Sequence, residues 1–255
     1  IIYTLAGSQL GWHSLPQEIR MKKTTSDVSV SRPKVITSET IAAALSLAIH
    51  EHRLAPGTKL GEDELSEIYG VSRTIVRAGL QSLSHQQIVE IKRNRGAFVA
   101  QPNLVEAREV FEARELLEPQ TARRAALKAL PKDVEILKAH ILEEHAAIDA
   151  GELGRALYLS GLFHLEIARI ANQQTVANMI TVLIARSSLI IALYWKRESA
   201  LCESIAHHSL IKAIAEKNGK QAEELMQSHL VDLHSALNLH ERAPVIQDLK
   251  HILLS

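Results

Sequence analysis

A chain of 255 residues is long enough for one large or two ordinary domains, and 46% hydrophobic residues with only 4% aromatics favour helix packing built on Ala, Leu and Ile over a β-sandwich. Equal numbers of basic and acidic residues, 29 of each, exclude a polycation that coats nucleic acid, so any grip on a polyanion must come from local charge. The single cysteine, Cys202, excludes an intrachain disulfide, and the longest apolar run, Ser188 to Trp195, is too short to span a bilayer, so a reducing, cytoplasmic location with no membrane partner is expected.

Residues 1–34 read as a flexible arm. Residues 1–20 lack the basic start, apolar stretch and cleavage site of a signal peptide, and Met21-Lys22-Lys23 reads as a natural beginning, so residues 1–20 are expected to be non-native. Lys22 to Pro33 is rich in Ser, Thr and Lys. Thr37 or Ser38 then caps a helix whose apolar positions Ile41, Ala44, Leu45, Ala48 and Ile49 recur at helical spacing, ending near His52. Leu54 to Thr58 contains Pro-Gly and forms a turn. A second helix runs from about Glu62 to Tyr69 and stops at Gly70, and a third runs from Arg73 to about His85. Ile88 to Ile91 and Ala97 to Ala100 read as strands around the turn Arg93-Asn94-Arg95-Gly96. Three helices and a hairpin make a winged helix-turn-helix over residues 35–101.

The third helix carries the chemistry of this half. Ser72 is placed to cap it through its hydroxyl. Ile75, Val76, Gly79, Leu80 and Leu83 form its apolar stripe, while Thr74, Arg77, Ala78 and Gln81, flanked by Arg73, lie opposite. Arginines in the first turns gain nothing from the helix dipole, which favours acids there, so their partners are phosphates or guanine edges. The plainer alternative is a solvated amphipathic helix. Charge is segregated: Glu62, Asp63, Glu64 and Glu67 sit on the second helix, and Arg73, Arg77, Lys92, Arg93 and Arg95 on the third helix and hairpin.

After Gln101-Pro102-Asn103 everything reads as helix, over residues 104–240. Segments run from Leu104 to about Leu130, Lys132 to Ala150, Glu152 to Ala171, Thr175 to Trp195, Cys202 to Lys217 and Lys220 to His240, joined by short loops as in an antiparallel bundle. Residues 241–255 form a tail with room for one more short helix. The fold expected is therefore mostly α, a winged helix-turn-helix followed by an all-α bundle. His164, the pair His207-His208 and His229 lie on three different helices of the bundle, and three imidazoles could converge on a divalent cation, although a hydrogen-bonded core histidine is the commoner fate of each. Arg186 sits on a very apolar helix and must find an acid or an anionic ligand. Tyr194 and Asn172 are possible polar lining, and His140, His145, Glu143 and Glu144 read as solvated.

The run from Leu54 through Leu65-Ser66-Glu67, Gly70-Val71-Ser72-Arg73-Thr74 and Val76-Arg77 to Arg95-Gly96-Ala97-Phe98-Val99 resembles the DNA-binding domain of GntR-family bacterial transcription regulators. That resemblance implies operator contacts by Ser72, Arg73, Thr74 and Arg77, and a wing whose tip, Arg95 and Gly96, lies over the minor groove. This chain departs from the pattern at Ile75, Ala78-Gly79 and Gln87, where a proline, an acid-alanine pair and a glycine are common, and at Asp63, where some relatives carry a DNA-contacting arginine. Gly79 should weaken the helix by up to about 1 kcal/mol relative to alanine.

Phe163-His164, Ile167-Ala168 and Ala171-Asn172, with His207, Leu210, Ala213-Ile214, Ala222, Met226 and His229-Leu230, are similar to the FCD ligand-binding domain of the FadR subfamily. There an aspartate and three histidines hold a metal, commonly zinc or nickel. The histidines correspond to His164, His207 and His229, and the aspartate position is Ser160, a poor zinc ligand. Glu203 and Asp232 are weaker substitutes that read as solvent-facing. Arg114 corresponds to a recurrent arginine of that domain and, with Arg186 and Ser160, is a candidate effector-binding residue, while an ion pair to Glu118 explains Arg114 equally well. The reading expected is a homodimeric, ligand-responsive regulator, repressor or activator, that binds operator DNA and senses a small organic acid. The alternatives are a metal-dependent hydrolase built on the three histidines, for which no HExxH motif is present, and a helical protein-interaction module.

Overall fold

The computed structural model describes residues 36–195 and 203–239. Among these the order is α1 (Ser38–His50), β1 (Lys59–Leu60), α2 (Glu62–Tyr69), α3 (Arg73–His85), β2 (Val89–Lys92), β3 (Gly96–Val99), α4 (Leu104–Lys128), α5 (Pro131–Asp149), α6 (Leu153–Ala171), α7 (Gln174–Tyr194), α8 (Glu203–Ala215) and α9 (Gly219–Ser235). The expected arm and tail lie outside the described residues.

In the first half, Thr37 caps α1 by accepting from the Thr40 amide, and Ile41, Leu45 and Ile49 bury one face of α1 against Val76, Leu80 and Leu83 of α3. Each such side chain contributes roughly 1.5–3 kcal/mol on burial. Gly79 belongs to this contact. A Cβ there would stand 3.0 Å from the Ser38 carbonyl oxygen, so the weak helix former is what allows α3 to lie against α1. Gly70 stops α2 in the left-handed region, at φ 63°. Gln87, standing where glycine is common, keeps the glycine-like conformation at φ 60°.

The hairpin is a three-stranded sheet in the order β1-β3-β2. Lys59 pairs with Phe98, and Val89 with Val99, both antiparallel. Strand β1 escapes a periodicity reading because two residues show no alternation.

Asn103 opens the second half with a reciprocal cap: its side chain accepts from the Val105 and Glu106 amides, and Glu106 accepts from the Asn103 amide. Helix α4 ends at Lys128 because the residue before a proline avoids the helical region, and Pro131 then occupies the first position of α5. Helix α4 packs on α6, α7 and α9, while α5 packs on α6 and α8. The main core joins Ala122, Ala125, Leu137, Phe163, Ile167, Leu210, Ile214, Met226 and Leu230. Helix α9 stops at Ser235, short of the expected His240, and Leu237 instead bridges to Trp195.

Helix α7 has 21 residues and is long and apolar enough, by length and composition, to cross a membrane. The run-length reading missed it because Ser187, Ser188 and Arg186 divide its apolar residues. In this fold α7 is a bundle helix packed on α4 and α6.

Candidate functional sites: a basic reading surface and a buried histidine cluster

Helix α3 presents the residues that its sequence pattern put outward. Arg73, Thr74, Arg77, Ala78 and Gln81 are exposed, and Val76, Gly79, Leu80 and Leu83 are buried. Ser72 has the extended backbone of an N-cap, but its side chain makes no capping bond, which corrects the expected role of its hydroxyl. Ser72 is exposed at the start of α3, where the Ile75 and Val76 amides bond the Ser72 carbonyl and the amides ahead of them are those a phosphate oxygen can meet.

Both arginines meet acids of α2. Arg77 holds Glu62 through Nε at 2.9 Å and Nη2 at 2.6 Å, and Arg73 pairs with Asp63. They do not turn inward to do so. Their side chains remain 65% (Arg73) and 58% (Arg77) exposed, and screened surface pairs of this kind exchange readily for another anion. The hairpin extends the surface. Asn94 at φ 59° and Gly96 at φ 94° make its tight tip, with Arg93, Arg95 and Gly96 all exposed. Lys92 pairs with Glu90 and lies over the Phe98 ring.

In the bundle, α6, α8 and α9 bring His164, His207 and His229 together. All three are buried, and each offers a ligand atom within 4.8 Å of the others. Glu118 of α4 accepts from His164 Nδ1 at 2.6 Å, and Glu144 of α5 accepts from His207 Nδ1 at 3.3 Å. Those two bonds place the ring protons on Nδ1 and leave both Nε2 atoms as lone-pair donors. His164 Nε2 accepts from His229 Nε2, 3.2 Å away, while His207 Nε2 is buried with no hydrogen-bond partner. An orphaned imidazole nitrogen beside two others is what a divalent cation would satisfy, and the three residues fit one. Burial pushes the His164 and His229 pKa values down, His229 well below the ordinary range, so both rings favour the neutral form, and His229 would ligate through Nε2 once its proton moves to Nδ1.

Glu118 is the keystone. It is 2% exposed and also takes Arg114 Nε at 2.5 Å, and Arg114 is itself 3% exposed. Burial alone would raise the Glu118 pKa, but the Arg114 charge and His164 outweigh it and hold the carboxyl at about 2. Pro119 follows it directly inside α4, where the missing N–H removes one helical bond.

Several expected roles change. Arg186 does not reach the histidines. Its Nη2 lies 3.2 Å from Glu106, and Glu106 stands twelve residues before Glu118 on α4, about 18 Å away at the α-helical rise. Of the two partners open to Arg186, an acid or an anionic ligand, the structure shows an acid, the one that caps α4. Arg114 grips Glu118 and so supports His164 rather than standing open to an effector. Ser160 is buried one turn before His164 on α6. Tyr194 donates to the Pro102 carbonyl at 2.9 Å and pins the linker instead of lining a cavity, and Asn172 is the exposed, left-handed end of α6. Asp232 is exposed, as expected, and the Glu203 side chain lies outside the described residues. Glu144, read as solvated, is buried on His207, and His145 Nε2 is also shielded from water. The missed carboxylates left no local signal. Glu118 and Glu144 become partners of His164 and His207 only through helix packing across 46 and 63 residues.

The model for bacterial regulatory proteins of the gntR family matches residues 37–99, and that for the FCD domain matches residues 109–232. The chain is 29% identical over 213 residues to the HTH-type transcriptional regulator LutR of Bacillus subtilis, covering 74% of this chain and 96% of that one. It is 25% identical to the HTH-type transcriptional repressor RspR of Escherichia coli, covering 72% and 81% of the two chains. Among solved structures, E. coli McbR/YncC superposes with a TM-score of 0.68 at 19% identity, covering 79% of this chain and 97% of that one, a likeness of fold. A winged head with exposed arginines, a bundle enclosing three histidines and these two matches together place the chain in the GntR family of bacterial DNA-binding transcription regulators, with an FCD ligand-binding domain.

Proposed function

We propose that this regulator binds operator DNA as a homodimer and changes its affinity when a small organic acid enters the histidine cluster on a divalent metal. The observation that carries the reading is His207 Nε2, buried without a partner beside His164 and His229. His164, His207 and His229 would hold the ion, with zinc and nickel the metals suited to imidazole ligands. The metal supplies a Lewis-acidic anchor for an anionic oxygen. Arg114 offsets one of the two buried carboxylates, Glu118 and Glu144, so a divalent cation leaves an excess of positive charge that one carboxylate would neutralise. Ser160, at the position where the resemblance implies an aspartate, adds no charge. The protein acts by binding rather than turnover, in the cytoplasm and away from membranes.

Ser72, Arg73, Thr74 and Arg77 contact the operator, with Arg95 and Gly96 at the wing. Val105, Leu116 and Leu127 are exposed large apolar residues spaced eleven apart on one face of α4, a surface that a second copy would cover. The ligand must bind the DNA-competent and incompetent states unequally, or it shifts nothing.

The test is a gel shift with the promoter region of the protein's own operon, run with Zn²⁺ and a panel of organic acids. Wild type should retard a specific fragment and Arg73→Ala or Arg77→Ala should not. Equal retardation by all three proteins would sink the DNA assignment. Acid-dependent release that persists in His164→Ala would sink the sensing site.

A further inference from the structure

Among the described residues, a cluster of contacts holds the DNA-reading head on the bundle where α1 ends. The Glu51 carbonyl oxygen faces Gly154 in the first turn of α6 so closely that any Cβ at that position would overlap it. His52, held in the left-handed region at φ 58°, puts Nε2 at 3.0 Å from the Ser188 carbonyl oxygen and 3.2 Å from its Oγ on α7. The carbonyl can only accept, so Nε2 carries the proton. Ser188 Oγ in turn donates to the His50 carbonyl at 3.3 Å, and the His50 ring stacks on Tyr158 of α6. Below these contacts α6 and α7 act as one floor, because a Cβ at Gly161 would stand 3.1 Å from Ile184 Cγ2.

None of these groups belongs to the reading surface or the histidine cluster. The left-handed turn at His52 is the usual stop of a helix, but a glycine under a carbonyl oxygen is a close approach that ordinary surface packing does not require. We infer that Gly154, Ser188 and His52 are positioning residues that dock the head on the α6–α7 floor in one orientation and thereby fix the distance between the two reading helices of a dimer. The inference rests on the dimeric, DNA-binding reading above. In a dimer each floor belongs to a symmetric bundle, so the joint, together with the linker that Tyr194 pins at Pro102, carries the bundle's geometry to the half-site spacing.

The experiment uses full-length wild type, Gly154→Ala and Ser188→Ala. An operator is selected from a random duplex library with wild type, and then rebuilt with one or two base pairs added between its half-sites. One added pair displaces a half-site by about 3.4 Å and rotates it by about a tenth of a turn. Wild type should lose at least about fivefold in affinity per added pair, the lower end of ordinary coupling between sites. Both variants should discriminate less than about twofold, while their affinity for a single half-site stays at the wild-type value. Circular dichroism checks that each variant is folded, and Ser188→Ala keeps the test sound should Gly154→Ala fail it. Spacing discrimination that survives in a folded variant overturns the inference, as does a dimeric wild type indifferent to spacing. A wild type that binds no DNA, or that sediments as a monomer, fails the regulator reading instead.

Discussion

Replacing Glu118 with glutamine should separate the two tasks of that carboxylate. The group is buried, bonded to Arg114 at 2.5 Å and to His164 Nδ1 at 2.6 Å. Removing its charge leaves a buried guanidinium without a counter-ion, a change that costs about 3–5 kcal/mol in comparable pairs. The Glu118 pKa, held at about 2 against the pull of burial, agrees in direction: the fold favours the ionised carboxylate, and the loss of about 3–5 kcal/mol follows from the broken pair. In a chain of this size that is a fall of roughly 10 °C in melting temperature. Zn²⁺ affinity should fall about 10- to 100-fold, because the neutral amide oxygen is a weaker acceptor for His164 Nδ1–H than a carboxylate and no longer raises the basicity of the ring. The double variant Arg114→Leu, Glu118→Leu is the telling partner. It removes the unpaired charge, so stability should return to within about 1–2 kcal/mol of wild type, whereas Zn²⁺ affinity should stay low. Urea unfolding of the metal-free protein and competition against a chromophoric chelator measure the two quantities. Should Glu118→Gln bind Zn²⁺ within twofold of wild type, or should the double variant recover metal affinity along with stability, the proposed role of Glu118 at His164 is wrong.

Gly79→Val should destabilise the head by about 1–3 kcal/mol, since its side chain would be driven into the Ser38 carbonyl, and a thermal melt no lower than wild type would refute that packing. Burial, and to a lesser degree the His52 charge, lowers the His50 pKa to about 4, so between pH 4 and 6.5 the unfolded chain binds the extra proton and stability falls as pH falls. His50→Asn should therefore lose about 2 kcal/mol less than wild type between pH 7 and pH 5, and equal losses in urea titrations would contradict it. Asp63→Asn and Glu62→Gln free Arg73 and Arg77 from their intramolecular partners, so affinity for random-sequence duplex should rise severalfold at low salt; a fall in anisotropy-measured affinity would show instead that the acids orient the arginines.

The arrangement of the head was legible because it is local. The turn at Pro56-Gly57, the stop at Gly70 and the apolar stripe of α3 dictate three short helices and a hairpin whatever the rest of the chain does, and the outward residues of α3 follow from a period of 3.6. Six bundle helices were legible for the same reason. What sequence spacing could not decide was which charge meets which. Arg186 had a carboxylate to find, and only the lateral placement of α7 against α4 makes that carboxylate Glu106. Nor could it show why Gly79 is tolerated, because the Ser38 carbonyl that excludes a Cβ lies 41 positions earlier.

The sequence by itself therefore determined the helices, the wing and the exposed arginines, because periodicity and capping act within a turn or two of chain, while the three histidines were singled out by the family resemblance and not by spacing. Tertiary structure alone decided that those histidines meet, that Glu118 and Glu144 stand behind two of them, and that Gly154 lies under the end of α1. Contacts of that kind are set by how helices far apart in sequence pack side by side, and nothing within any one helix records them.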